Sequence, residues 1–300
     1  STVAWYNSGK IQNKGWEFNI DIAAVKTKDW SFNFGFNISQ NKNEILELPE
    51  NKNDELYTFG NKNYAYSVMM GDPLGSFYGY RYKGVYQNVE ETYAVNTSGQ
   101  RILDIDGNPV VMKNGDQKVY PGDARYEDVN GDGVINENDI VYLGNSNPTL
   151  TGGLNFTLRY KKVSLVAAFH GRAGQKVINQ ARMDMENMRG KNNQSVAVLR
   201  RWRSEGDDTD IPRALYDKGY NYLGSDRFVE DASFLRLKTV TLKYQMPAKW
   251  MKAIGVNKLE LYATGYDMFV WTKYKGQDPE VNLKAANDGT VAQVAIDSNN

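Results

Sequence analysis

"WEFNIDIAAVKTKDWSFNFGFNISQ", residues 16–40, decides the fold. Trp16, Phe18, Ile20, Ile22 and Ala24 fall on one side of an extended chain, and Glu17, Asn19 and Asp21 on the other. After the link Val25–Asp29 the pattern resumes, with Trp30, Phe32, Phe34, Phe36 and Ile38 opposed to Ser31, Asn33, Gly35, Asn37 and Ser39. Period-two alternation over strands of about 9–11 residues, joined by a tight turn, is a hairpin of membrane-barrel length. Each strand opens on a tryptophan, as the aromatic girdles of such barrels do.

Two further pairs repeat the pattern. "TGGLNFTLRY" (151–160) and "VSLVAAFHG" (163–171) meet at Lys161-Lys162, and "FLRLKTVTLKYQ" (234–245) and "KLELYATGY" (258–266) are joined by residues 246–257. The alternation slips near Lys238, which predicts a bulge or a strand leaving the apolar band. Between the pairs lie connections of a different scale, about 41–150 and 172–233. Compact soluble domains seldom carry structureless links beyond about 12–15 residues. Outer-membrane barrels build short periplasmic turns and long outer loops. The expected fold is therefore all-β: a transmembrane antiparallel β-barrel segment with long extracellular loops, one of them partly helical (173–206). Six strands fall short of the smallest membrane barrels, of about 8, and open edges are not tolerated in lipid. The segment is expected to be part of a longer polypeptide, or one piece of a larger assembly.

Composition excludes other classes. Lys plus Arg equals Asp plus Glu at 36 each, so no net charge points to nucleic acid. Cysteine is absent, which removes disulfides and thiolate metal sites, and His170 is the sole histidine. A zinc site or a Ser-His-Asp arrangement lacks partners, and no carboxylate pair has a spacing that fixes a glycosidase. The chain is not expected to be an enzyme.

Three sets of side chains are candidates for binding. In "DVNGDGVINENDI" (128–140) the oxygens of Asp128, Asn130, Asp132, the Val134 carbonyl, Asn136 and Asp139 take the spacing of a calcium loop, with Gly133 at the turn. Asp at the last position replaces the longer Glu. The alternative is an Asx-rich turn that caps backbone amides. If Ca2+ binds, its job is to rigidify a connection of about 110 residues with little core. Phe77, Tyr78, Tyr80, Tyr82 and Tyr86 offer aromatic faces for sugar rings, or pack a loop on the barrel rim. Arg201, Trp202 and Arg203 could grip a carboxylate, or be paired with the acidic run 205–210. Met183, Met185 and Met188, with Ile178, make either a face for a partner or a packed surface.

"NSGKIQNKGWE" (7–17), "GDPLGSFYGYRYKGVYQ" (71–87), "PGDARYEDVNGDGVINENDIVYLGNSNPTLTGGL" (121–154), "RFVEDASFLRLKTVTLKYQMP" (227–247) and "TKYKGQDPEVN" (272–282) follow one another in this order. Together they resemble the C-terminal part of SusC/RagA-type TonB-dependent transporters of Bacteroidetes outer membranes. The resemblance implies the last part of a 22-stranded barrel, with a plug domain outside this chain. It also implies import of an oligosaccharide or a peptide powered by TonB, and a SusD-like lipoprotein as lid. The competing reading of the residues alone is a secreted, calcium-stabilised all-β protein that binds carbohydrate.

Overall fold

The computed structural model describes residues 9–48, 57–58, 64–66, 69–253, 255–281, 283–285 and 293–297. Six long strands form one antiparallel sheet in chain order: β1 (Lys10–Lys26), β2 (Trp30–Glu47), β3 (Leu150–Tyr160), β4 (Val163–Ala173), β5 (Phe234–Gln245) and β6 (Glu260–Thr272). The three expected hairpins are all present. β1 and β2 run well past the alternating stretch, pairing as far as Lys10 opposite Glu47. Polar residues carry this extension: the Asn43 amide donates to Asn13 Oδ1 at 2.8 Å.

Register turns alternation into rows. Ile20, Phe36, Leu154, Phe169, Leu237 and Phe269 are direct neighbours across all six strands. The next rows down read Ile22–Phe34–Phe156–Ala167–Val240–Gly265 and Phe32–Leu158–Leu165–Leu242–Ala263. Trp16, Phe18, Ile22, Leu235, Leu242, Phe269 and Trp271 on this face are exposed. An apolar patch of this extent is untenable in water and is what a lipid-facing wall requires.

Aromatic rings bound the face at two heights. At the turn end Trp30 lies against Tyr160 with ring centroids 4.3 Å apart, in a row that continues to Val163 and Tyr244. At the other end Trp16 sits opposite Gln40, and Trp271 stacks on Phe169 and Phe269 of the row below it. Ten residue steps of β2 separate Trp30 from Gln40. At about 3.4 Å per step and a tilt of about 40° this spans roughly 25 Å, the height of the apolar band of an outer-membrane barrel. No helix among the described residues is long and apolar enough to cross a membrane.

The irregularity near Lys238 is a bulge. Register shifts between Leu237 and Thr239 opposite Phe269 and Tyr266, and Asp267 takes a positive φ of 47°. It redirects Lys238 toward Asp267, 3.3 Å away.

The long connections depart from two expectations. Only Gln180–Glu186 (α1) and a 3-10 turn at Val196–Arg200 are helical within 173–206. Lys176–Asn179 is held as a strand by pairing with Val229–Asp231 on one side and Ile296–Asp297 on the other. Met188, with φ 49°, ends the helical path. Nor do the connections have little core. Tyr86, Ala94, Met112, Val119, Ala124, Tyr126 and Ile135 bury one another, and a second cluster joins Tyr64, Phe77, Ile178, Met183, Phe228 and Ile296. The two excursions fold together as one unit on the end of the sheet away from the hairpin turns.

Candidate functional site

The polar face of the sheet lies behind the apolar rows. Its neighbours across the strands read Asn19–Asn37–Gly153–His170–Arg236, Asp21–Gly35–Asn155–Ala168–Thr239 and Asn33–Thr157–Val166–Thr241–Thr264. Hydroxyls bond across it: Ser39 with Thr151 at 2.7 Å, and Thr241 with Thr264 at 3.0 Å. Gly35 makes room for its neighbours, since a Cβ there would come within 2.6 Å of Asp21 Oδ1 and 2.8 Å of the Asn155 amide. A wall of amides and hydroxyls suits a watery passage.

Toward the outer end the wall becomes ionic. Arg236 on β5 is nearly buried, and its Nη2 donates to Asp278 at 2.6 Å while its Nε faces Glu280 at 3.2 Å. Glu280 also draws Lys238 at 3.4 Å and Arg172 at 3.8 Å. His170 shares this neighbourhood, edge-on to Phe234. The sequence analysis missed this cluster, because Asp278 and Glu280 arrive some forty positions from Arg236, and Asp267 of β6 lies beside them, 3.9 Å from Arg236. The slip in alternation at Lys238 was the one local sign.

Above the wall, the aromatic candidates are spoken for. Ser76–Gly79 is a fully buried strand. The Tyr78 hydroxyl donates to Asp72 Oδ2 at 2.6 Å and its ring meets Tyr142 edge-on. Tyr80 and Tyr82 both pack on Tyr126, and the Tyr82 hydroxyl donates to the Asp210 carbonyl. Burial pushes all three phenols up, Tyr80 to about 12, so they stay neutral donors. Phe77 and Tyr86 are core. These rings help hold the outer unit together, with Tyr80 and Tyr82 left half-buried.

The arginine segment is structural as well. The Arg201 and Arg203 guanidinium groups donate to the Val198 and Leu199 carbonyls, closing the 3-10 turn. Asp207 accepts the backbone N–H of Arg203 rather than pairing with its side chain. The Trp202 ring covers Gly122, whose φ is +84°; a Cβ there would sit 2.2 Å from the ring. Gly122→Ala should therefore cost about 1–3 kcal/mol of outer-unit stability, read as a lower temperature for loss of tryptic protection in 110–215. Met183 is buried with Ile178, Met188 is buried in a separate cluster with Val198 and Ile211, and Met185 is exposed, so the three methionines form no common face.

No family model matches the chain. Characterised relatives do. It is 33% identical over 293 residues to TonB-dependent receptor P26 of Formosa agariphila, covering 96% of this chain and 27% of the relative. TonB-dependent receptor P3 of the same organism is 30% identical over 290 residues (94% and 26%), and the TonB-dependent receptor SusC of Bacteroides thetaiotaomicron 27% over 286 (92% and 24%). Among solved structures, the RagAB peptide importer in its closed-closed state superposes with a TM-score of 0.66 at 25% identity, covering 91% of this chain and 27% of that one.

The chain belongs to the TonB-dependent receptors. It spans about a quarter of the length of the relatives it matches. The sheet is thus an arc of a receptor barrel, its apolar rows meet the outer membrane, and its open edges at β1 and β6 are where the arc continues.

In this receptor segment residues 128–139 form a knot of Asx turns. Asp128 accepts from the backbone N–H groups of Gly131, Asp132 and Gly133, and Asp132 from that of Val134. Asn136 caps Asn138, and the fully buried Asp139 spends its two oxygens on the amides of Val129 and Asn136. These are the hydrogen bonds of the turn alternative, made by the same oxygens that a Ca2+ ion would use. Asp128→Ala should speed proteolysis of the loop by removing three of these acceptor contacts; protection of the unaltered loop by calcium, lost in the variant, would show that it holds the metal.

Proposed function

We propose that the intact protein imports a nutrient, an oligosaccharide or a peptide, across the outer membrane, with TonB supplying energy and a SusD-like lipoprotein covering the mouth. The observation that carries this reading is the two-faced sheet: a lipid-type apolar face backed by a hydrated wall of amides, hydroxyls and paired charges. In this arrangement the turns at 27–29, 161–162 and 246–257 lie in the periplasm, and the unit built from 48–149 and 174–233 lies outside. Such a protein moves its ligand and leaves it chemically unchanged. Its relatives are TonB-dependent receptors, and a structural neighbour is a peptide importer. A secreted carbohydrate-binding protein does not account for the exposed rows of Phe, Leu and Trp.

The test is growth of a strain in which the whole gene is deleted, on a panel of purified polysaccharides and on a peptide digest, each as sole carbon source. Loss of growth on one of them, restored by the intact gene, supports import and selects the ligand class. Growth equal to the parent on every source, with the protein recovered in the soluble fraction, would overturn it. Affinity purification from the outer membrane is expected to bring down a lipoprotein partner.

A further inference from the structure

Beyond Thr272 the chain stays against the wall. The Tyr274 hydroxyl donates to Asp297 at 2.6 Å and the Lys275 N–H to Glu230 at 2.9 Å, tying the start of the segment to the outer unit. Its far end runs into the strand at Leu283–Ala285, which pairs with residues 293–295 of the same unit. The middle is held differently. Asp278 accepts the N–H of Glu280 at 2.8 Å, with Pro279 buried between them. That turn presents both carboxylates to Arg172, Arg236 and Lys238 on the polar face.

We propose that residues 273–281 are a charge-latched flap on the inner wall of the barrel, closed in this structure and released as one piece when the carboxylates leave Arg236. Three observations favour a latch over permanent packing. The ends are anchored by hydrogen bonds and strand pairing, whereas the contacts of the middle with β4 and β5 are ion pairs. Those pairs are partly hydrated, since the Asp278 side chain is half exposed, so salt weakens them. And Arg236 is incompletely satisfied: its buried Nε lies near Glu280 without the alignment of a hydrogen bond. Part of the desolvation cost of this buried guanidinium is therefore left uncompensated. Because the carboxylates meet side chains of the polar face, the closed flap occupies the space that the wall would line. The inference rests on that face being a transport path, and its test does not.

The experiment is amide hydrogen exchange of the full-length receptor in detergent, without ligand, at low and at high salt. High salt should speed exchange in 275–281 roughly tenfold while 229–231 and 293–297 hold their protection. Arg236→Met should show the fast rate at both salts. Glu280→Arg should open the flap, and adding Arg236→Glu should close it again. Glu280→Gln, on the flap rather than the barrel, serves if Arg236→Met does not fold. Exchange in 275–281 that ignores both salt and the substitutions would overturn the latch, as would loosening spread equally over 229–231 and 293–297. A failed growth test with salt-sensitive exchange would sink import and leave the flap standing.

Discussion

Leu154→Arg should destabilise the barrel by about 2–4 kcal/mol, the cost of a cationic side chain near the bilayer midplane. Leu154 is the middle of a six-strand apolar row, between Phe36 and Phe169, about halfway along β3. Lipid chains cannot hydrate a guanidinium, and its neighbours across the strands offer no acceptor. Thr157→Arg on the same strand is the control. Thr157 lies between Asn33 and Val166 on the polar face, where water and amides receive the charge, so the change should stay within about 1 kcal/mol. Denaturant unfolding of the full-length protein in lipid vesicles measures both. Equal costs at the two positions would mean that the apolar face does not meet lipid.

The second large effect is expected in the outer unit, at Glu186. This buried carboxylate, at the end of α1, accepts from Arg182 Nε and Arg227 Nη2, both at 2.9 Å. Arg182 also reaches Glu230 at 3.0 Å, and the Arg227 guanidinium is buried against the Phe228 ring. Removing Glu186 leaves Arg227 enclosed without its carboxylate, so Glu186→Met should cost about 3–5 kcal/mol. Adding Arg227→Met removes the stranded charge and should recover a large part of that loss. Exchange protection across 174–233 reports both variants, and a double variant as weak as the single would place the loss in packing.

The wall was legible in the sequence and the unit above it was not, for a physical reason. A strand between lipid and water must alternate over its whole crossing, so Trp16–Ile22 and Trp30–Ile38 disclose face, register and membrane height together. Lys161-Lys162 marks a turn because two lysines cannot lie in the apolar band. The outer unit obeys no such rule. Its strands are two to five residues long, too short for a period, and its ties join distant residues, as Tyr82 N–H does with Asp226. "SFYGYRY" reads as an aromatic platform, yet only partners such as Asp72 and Tyr126 show that its rings face inward. The loop at 128–139 was ambiguous in principle. A cation and a set of backbone amides ask for the same oxygens at the same spacing, and both need glycine at the turn. The helical composition of 173–206 lost to strand pairing with Val229–Asp231, a contact no local window contains.

Asp123 on the first excursion grips Arg213 on the second with two hydrogen bonds, at 2.7 and 3.2 Å, and Asn221 receives the Ala124 N–H at 2.8 Å. The two excursions are therefore one heritable module written in two places. A chimera that transplants either alone between homologues strands Asp123 or Arg213 in a half-built interior, whereas moving both carries the cores intact. The apolar rows of the wall, which answer to lipid, can stay as they are while the module above them diversifies.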